Sequence, residues 1–513
     1  MPSTASFGSD IRRRTTISAR KRKRTQPHLI TLAGIAIEPP DETKHFKLIG
    51  TTGSGKSTAI REVLRTALAR GDRALIADPD GGYLQRFYDP QRGDLILNPF
   101  DPRSARWDLF AELRDPYDAD QLARALIPDA AESYGREWRA YARTFLSSVL
   151  RTAYSPDRPI SSSPPRLSAP APSHPSTHCV GTIPKTACTS TAPTLCGSSP
   201  SPNGSTPSES ARSPASHPPV PSSHGSMPAD PIVELWRRLA IATTEELRPL
   251  VANTPAQPFL EPENARMFGS IRSVTTAALA GLEHIARQST GSPISIRSWV
   301  RMSNPSVSAR PAGRELSTGA LFMPYAAGQI ASLRGLIATW LRLAIFEAMN
   351  GPEGDQGLWF VIDELDALGA IDGLKDALAR VRKFGGRCVL GFQSIGQVSA
   401  LYGRGDAQTI IENCGNSLIL RCSASEGGGT ALFASQLIGQ REVLRRHVSR
   451  TDARDGTSIL ARRRRSTTES DQVIIEPAVL LAEIEQLPDL AGYAKPASSA
   501  AWHRIHFPTD NPR

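Results

Sequence analysis

The stretch LIGTTGSGKST, residues 48–58, decides how this chain is interpreted. It contains the pattern G-x-x-x-x-G-K-[S/T], in which glycines let consecutive backbone N–H groups curl around a phosphate. Lys56 would reach the β- and γ-phosphates, and the Ser57 hydroxyl would bind Mg²⁺. The alternative is a glycine-rich turn that binds nothing. We predict a nucleotide cradled by Gly50, Thr51, Thr52, Gly53, Ser54, Gly55, Lys56, Ser57 and Thr58.

The elements predicted on either side of this loop favour the phosphate-binding interpretation. An apolar run at 46–49 precedes it, a helical pattern over 58–70 follows, and RALIAD at 73–78 is typical of a second strand. Strand, loop, helix and strand in this order is the context that such a loop requires. LITLAGIAI at 29–37 predicts one further strand leading toward the loop.

Composition limits the classes of protein that fit. The 513 residues suffice for two or three domains, and the net charge of +10 makes an anionic partner plausible. Six cysteines without a C-x-x-C spacing suggest neither zinc nor a disulfide framework. Neither an 18-residue apolar run nor a secretory signal is evident, so we expect a cytoplasmic protein as the sequence is written.

Two segments differ in composition from the rest. Residues 1–28 are polar and basic, which predicts a disordered tail or a surface that faces phosphates. Residues 155–229 hold seventeen of the 42 prolines and very few aromatic or acidic residues. This stretch cannot bury enough apolar surface to fold alone. It is either a disordered insertion or a segment translated out of frame.

Further helices and strands follow from hydrophobic periodicity. We predict helical regions at 118–154, 231–251, 265–287 and 328–349, and strands at 320–325 and 417–423. ALFASQLIGQREVLRRHVSR at 431–450 predicts a helix with a basic end, and ARRRRST at 461–467 is a second basic cluster. These clusters indicate either a solvated surface or one that tracks phosphates.

A second informative stretch is LWFVIDELDAL at 358–368, an apolar strand that ends in Asp363 and Glu364. Such a strand would hold Asp363 rigidly beside Ser57 and the Mg²⁺ ion. Glu364 would orient and polarise the attacking water. The alternative is a strand that ends at a solvated turn. Together with the loop at 50–57, the acidic pair predicts hydrolysis of Mg²⁺-bound ATP.

The next strand, RCVLGFQS, ends in Gln393, which would contact the γ-phosphate or the water. The alternative for Gln393 is an ordinary hydrogen bond at a strand end. Arg380, Arg382 and Lys383 lie near the end of the preceding predicted helix, and one of them could reach a neighbouring subunit's phosphate. Helix C-termini also attract cations through the helix dipole alone, so a purely structural role stays open.

In order along the chain, GTTGSGKS, DPDG, NPFDPRSARWDLF, FVIDELDAL and GFQS resemble the coupling-protein ATPases of bacterial conjugation and type IV secretion, of the TraD/TraG kind. These are relatives of the FtsK and HerA translocases. The resemblance covers about 29–154 and 230–505. It implies an α/β, RecA-like P-loop domain with an inserted all-α domain. The domains expected are a basic tail at 1–28, the first ATPase part at 29–106, the all-α domain at 107–290 interrupted by 155–229, and the second ATPase part at 291–513 with a basic C-terminal region.

The resemblance also implies partners and roles. We expect a homo-hexamer that pumps relaxase-bound, single-stranded DNA to type IV secretion channel proteins at the cytoplasmic face of the bacterial inner membrane. Lys56, Ser57, Asp363, Glu364 and Gln393 match the motifs of the family, and Arg382 best matches the arginine that acts in trans. Relatives usually carry N-terminal transmembrane helices, and we expect none in this chain as it is written. The alternatives are a decayed nucleotide- or DNA-binding remnant without motor activity, and an FtsK-like chromosome translocase.

Overall fold

The computed structural model describes residues 29–129, 133–153, 230–302, 319–354, 357–454 and 463–508. The predicted tail at 1–28 and the proline-rich stretch at 155–229 therefore lie outside the described residues. The strands are β1 Ile30–Leu32, β2 Ile35–Ile37, β3 Phe46–Ile49, β4 Arg73–Pro79, β5 Leu95–Ile96, β6 Arg106–Trp107, β7 Pro293–Ile294, β8 Leu321–Tyr325, β9 Leu358–Ile362, β10 Gly386–Phe392, β11 Asn416–Ile419, β12 Gln440–Arg454, β13 Arg463–Pro477, β14 Ala491–Lys495 and β15 His503–His506.

Helices lie between many of these strands along the chain. They are α1 Pro39–Glu42, α2 Lys56–Ala69, α3 Gly82–Phe87, α4 Pro116–Leu126, α5 Ser133–Ala153, α6 Pro231–Ala240, α7 Thr244–Val251, α8 Ala265–Ala278, α9 Ala280–Arg287, α10 Ile296–Arg301, α11 Ile330–Ala348, α12 Leu374–Val381, α13 Ile395–Tyr402, α14 Arg404–Glu412, α15 Gly429–Ile438 and α16 Leu481–Glu485. In the described part of the chain, none of them is long and apolar enough to cross a membrane.

A central sheet positions the loop and the acidic pair. Within the described ranges its nine strands have the order β15-β14-β11-β3-β10-β9-β4-β8-β5. The pairs from β11 to β5 are parallel, whereas β14 and β15 form an antiparallel edge. The central strands are buried along their whole length, as expected when helices cover both faces of a parallel sheet. The predicted α/β class with a P-loop in a parallel sheet is confirmed.

Each face of the sheet packs against helices. On one face, Ile60, Val63 and Leu64 of α2 are buried together with side chains of β3 and β4. On the other face, α11 packs against α4, α9, α10 and α12. Trp340 of α11 meets Trp107 edge to face, with ring centroids 5.9 Å apart. The predicted helical regions thus pack against the sheet through α11, and their treatment as a separate inserted domain stays a prediction.

Two sequence predictions differ from the structure. The segment 29–37 forms two strands, β1 and β2, because Ala33 and Gly34 adopt positive φ angles of 53° and 76° and turn the chain back. The predicted helix at 431–450 ends with α15 at Ile438. Gly439 has a φ of 104°, and the basic end of the segment is the strand β12. β12 pairs in antiparallel register with β13 along its whole length.

The other predicted elements occur close to their expected positions, with boundaries that shift by a few residues. The region 118–154 contains α4 and α5, and 231–251 contains α6 and α7. The helix after the loop begins at Lys56 rather than Thr58. The basic cluster predicted at 461–467 falls partly on β13.

Candidate functional site at the carboxyl edge of the sheet

The loop 50–55 joins β3 to α2 and depends on its glycines. Gly53 and Gly55 have φ angles of 76° and 119°, in the left-handed region that favours glycine. A Cβ at Gly50 would lie 2.6 Å from Ser54 Oγ and 2.9 Å from Leu420 Cβ. No alanine fits at Gly50 without moving these neighbours. The local sequence therefore folds into a tight cradle at the N-terminus of a 14-residue helix, where backbone N–H groups favour an anion.

Segments far along the chain hold this cradle in place. The Gly50 N–H donates to Phe392 O at 3.3 Å, and the Thr51 N–H donates to Arg421 O at 2.8 Å. The Leu490 N–H donates to Ser54 O at 3.0 Å, with Leu490 itself at a φ of 63°. The shape of the loop thus depends on contacts with β10, with the segment after β11 and with the residue before β14.

Lys56 lies inside the cradle and is only 6% exposed. Its Nζ donates to Gly50 O at 2.6 Å and to Thr51 O at 3.2 Å. Burial lowers the pKa of Lys56, and the nearby charges of Asp363 and Glu364 oppose that shift. The ammonium group is therefore held between loop carbonyls and an acidic group of residues. Thr58 continues the first turn of α2, where its N–H donates to Gly55 O at 3.1 Å.

Asp363 follows β9 and is joined directly to the loop. The Ser57 hydroxyl donates to Asp363 Oδ2 at 2.8 Å, and the Tyr83 hydroxyl donates to the same oxygen at 2.7 Å. The other carboxylate oxygen, Oδ1, is buried and has no hydrogen-bond partner among the described residues. Such an unpartnered buried oxygen fits a place for a cation or for the water bound to it, since buried polar atoms normally have partners.

Glu364 and Gln393 form a second link across the sheet edge. Gln393 Nε2 donates to Glu364 Oε1 at 3.0 Å, and Thr52 Oγ1 donates to Gln393 Oε1 at 2.8 Å. Burial raises the pKa of the Glu364 carboxyl, and the charge of Asp363 raises it further. One hydrogen-bonded chain therefore runs from the phosphate-binding loop through the end of β10 to the end of β9.

The sequence analysis missed three residues in this site. Asp78 in β4 is completely buried and accepts N–H donors from Tyr83, at 3.0 and 3.1 Å, and from Leu84, at 2.7 Å. Burial raises the pKa of Asp78 to about 6, against the effect of these hydrogen bonds. Tyr325 ends β8 with a buried hydroxyl that has no partner within the described ranges. The acidic end of RALIAD was a usable signal for Asp78, whereas neither tyrosine lies in a motif.

Arg382 is the predicted residue that the structure does not bring to this edge. It is exposed and follows α12, just before β10 begins. The loop and the acidic pair instead lie where the parallel strands end. Because β10 separates Arg382 from Gln393, about 20 Å of extended strand lies between them, at roughly 3.3 Å per residue. A contact of Arg382 with a neighbouring copy stays a prediction.

Comparison with known proteins places this fold in a family. Residues 29–162 and 226–508 match the type IV secretion-system coupling protein DNA-binding domain. The coupling protein TraD of Escherichia coli (strain K12) is 27% identical over 476 residues, which are 90% of this chain and 52% of TraD. The chain thus spans about half the length of this curated relative.

Solved structures give the same result. The bacterial conjugative coupling protein TrwBdeltaN70, in its unbound form, is 25% identical and superposes with a TM-score of 0.67, covering 95% of this chain and 90% of that one. The plasmid coupling protein TrwB in complex with ADP and Mg²⁺ gives 25% identity and a TM-score of 0.66, with the same coverage. The chain belongs to the family of type IV secretion-system coupling protein DNA-binding domains.

Proposed function

We propose that this chain is a P-loop ATPase that drives conjugative DNA transport, delivering relaxase-bound DNA to a type IV secretion pore. The observation that carries the proposal is the pair of hydrogen bonds from Ser57 to Asp363 and from Gln393 to Glu364. They join the phosphate-binding loop to an acidic pair at a strand end, which is the arrangement that phosphoryl transfer to water requires.

ATP and Mg²⁺ are the proposed substrate and cofactor. Solved structures of the plasmid coupling protein TrwB hold ADP with Mg²⁺ and a non-hydrolysable ATP analogue, which supports the same ligands here. The residues present fit them, since the loop at Gly50 is too tight for a Cβ and Asp363 Oδ1 has no hydrogen-bond partner among the residues that the structure describes. Ser57 and Asp363 would hold the ion. Bound Mg²⁺ supplies positive charge that neutralises the phosphate oxygens as charge develops on them.

Other side chains of the site would supply the remaining roles in hydrolysis. Lys56 places its ammonium against the β- and γ-phosphates and stabilises charge in the transition state. Glu364, oriented by Gln393, positions and polarises the attacking water. Thr52 links Gln393 to the loop through a hydrogen bond. A phosphate that binds in the cradle and moves Thr52 would therefore also move Gln393 at the end of β10. Tyr83 acts as a positioning residue, because its hydroxyl fixes one oxygen of Asp363 and leaves the other available.

The remaining expectations concern assembly and place. A homo-hexamer would let Arg382 of one copy reach the phosphate of the next, and single-stranded DNA would pass through its channel. The relaxase and the secretion channel proteins are the proposed partners, at the cytoplasmic face of the inner membrane. Membership in the coupling protein family supports these proposals.

The test is ATP hydrolysis by the purified chain, with and without single-stranded DNA, for the parental protein, Lys56→Ala and the control Lys44→Ala. Lys44 is 45% exposed and pairs with Asp41 away from the loop. We expect DNA-stimulated hydrolysis in the parental chain and the control, and none in Lys56→Ala. Parental turnover in Lys56→Ala would refute the site. Nucleotide binding without DNA-dependent turnover would favour the remnant without motor activity.

A further inference from the structure

The hairpin of β12 and β13 takes no part in the proposed ATPase site. Its two 15-residue strands pair at every position, which gives a ribbon about 50 Å long at roughly 3.4 Å per residue. At its base, the Ala478 N–H donates to Gly439 O at 2.9 Å, and the Ser435 hydroxyl donates to Val479 O at 2.6 Å. The ribbon is therefore anchored where it leaves the sheet domain.

Charge is distributed unevenly along this ribbon. Its distal half, positions 449–454 and 463–468, carries five arginines and one acidic residue, Asp452. The half nearer the base carries three arginines and four acidic residues. In the distal half, Arg454 stands directly opposite Arg463 in the register. The excess of positive charge in the distal half favours an anionic partner.

Strand alternation places four of the five distal arginine positions on one face of the ribbon, whereas position 464 lies on the other face. Positions 446, 450 and 454 of β12 share a face with positions 463 and 465 of β13, because directly opposite residues lie on the same face. Arg450 is exposed and has no ion pair with any described residue. Arg446 and Arg465 are 67% and 70% exposed, and their carboxylate partners are themselves exposed. Exposed ion pairs of this kind are weak and can be exchanged for phosphate contacts.

The residues between the arginines indicate the chemistry of the partner. Ser449, Thr451, Ser466 and Thr468 supply hydroxyl donors on the opposite face of the distal half. β12 and β13 contain no Phe, Tyr or Trp, so the ribbon has no aromatic platform on which bases would stack. The exposed apolar residues Leu444, Val473 and Ile475 lie in the half nearer the base. The distal half therefore suits a phosphate backbone better than an apolar protein surface.

We infer that the distal half of the β12–β13 hairpin binds the sugar–phosphate backbone of the transported DNA. This inference rests on the proposed function, because it assigns a surface to the DNA of that proposal. Contact with phosphates through arginine and hydroxyl groups is independent of base sequence and depends strongly on salt.

The experiment compares three proteins, each comprising residues 1–513. The test variant is Arg450→Gln with Arg465→Gln. The matched control is Arg404→Gln with Arg504→Gln, which removes the same charge from exposed positions on α14 and β15. Binding of a fluorescent single strand of mixed sequence is measured by anisotropy across a salt series. Binding of a fluorescent ATP analogue is measured in parallel and should be the same in all three proteins.

The expected result is a loss of DNA affinity in the test variant alone, with a shallower salt dependence. Each phosphate contact on a single strand contributes about 0.7 to the slope, so two lost contacts reduce it by about 1.4. The ratio of the parental chain's DNA affinity to that of the test variant should then fall about seven-fold when salt rises from about 50 to about 200 mM.

Each other outcome overturns a specific statement. Equal DNA affinity and slope in the test variant and the parental chain would overturn the hairpin assignment and leave the proposed function intact. A parental chain that binds the nucleotide but no DNA would overturn the proposed DNA motor itself. If the test variant instead lost binding to vesicles of anionic phospholipid, or its oligomeric mass fell while DNA affinity was unchanged, the hairpin would face a membrane or a second copy rather than DNA.

Discussion

Replacing Tyr83 with phenylalanine tests the geometry around Asp363 most directly. The ring of Tyr83 is 2% exposed, and its hydroxyl is one of two donors to Asp363 Oδ2, at 2.7 Å. Tyr83→Phe keeps the ring and removes only this hydroxyl, so the fold should be preserved. A hydrogen bond to a charged group is worth about 1.5–3 kcal/mol. After its loss, Ser57 would be the only donor to that oxygen among the described residues, and Ser57 is itself a proposed ligand of the ion.

The expected effect is that ATP hydrolysis requires a higher concentration of Mg²⁺. Residues that orient a metal ligand typically change metal affinity or activity by about 10- to 100-fold when they are mutated. ATP hydrolysis measured at fixed ATP while Mg²⁺ is titrated should therefore show a half-saturating Mg²⁺ concentration raised by about that factor. Binding of a fluorescent ADP analogue without Mg²⁺ should be unchanged.

The matched control is Tyr88→Phe. Tyr88 is half-buried and its ring lies against Phe322, with centroids 6.2 Å apart. Its hydroxyl makes no hydrogen bond to another described residue, so this variant should behave as the parental chain. If Tyr83→Phe and Tyr88→Phe showed the same parental Mg²⁺ dependence, the role assigned to the Tyr83 hydroxyl would be wrong.

Two further predictions concern the water-activating pair and the stability of the sheet. Glu364→Gln should bind ATP as the parental chain does but lower single-turnover hydrolysis by about 10²- to 10⁴-fold, and a parental rate would remove Glu364 from the mechanism. His45 is buried between Leu378 O and the Cys388 N–H, and burial lowers its pKa to about 4. Between pH 6.5 and 4 the histidine is protonated in the unfolded chain but stays neutral in the folded chain. The free energy of unfolding should therefore fall by up to about 3 kcal/mol as pH drops through this range. Urea unfolding of His45→Asn, which tolerates the left-handed backbone, should show a flatter pH profile, and an unchanged slope would exclude His45 as the cause.

The sequence by itself determined the parts of the site that are contiguous. The cradle at 50–57 could be read from residue types, because glycine freedom and the lysine and serine side chains act within one turn of chain. Asp363, Glu364 and Gln393 could be placed because each follows an apolar strand, and the carboxyl ends of parallel strands meet at one edge. The prediction that Asp363 lies beside Ser57 came from the combination of a phosphate-binding loop with an apolar strand that ends in two acidic residues, and the hydrogen bond between the two side chains agrees with it.

Only the tertiary structure decided the rest, because the deciding contacts join residues distant in sequence. Tyr83 reaches Asp363 since β4 and β9 are neighbours in the sheet although 280 residues separate the two side chains. The segment 440–450, the second half of the helix predicted at 431–450, carries Leu444 and Val448 at helical spacing. Its pairing with β13 supplies interstrand hydrogen bonds that no local pattern reveals, and that pairing makes it a strand.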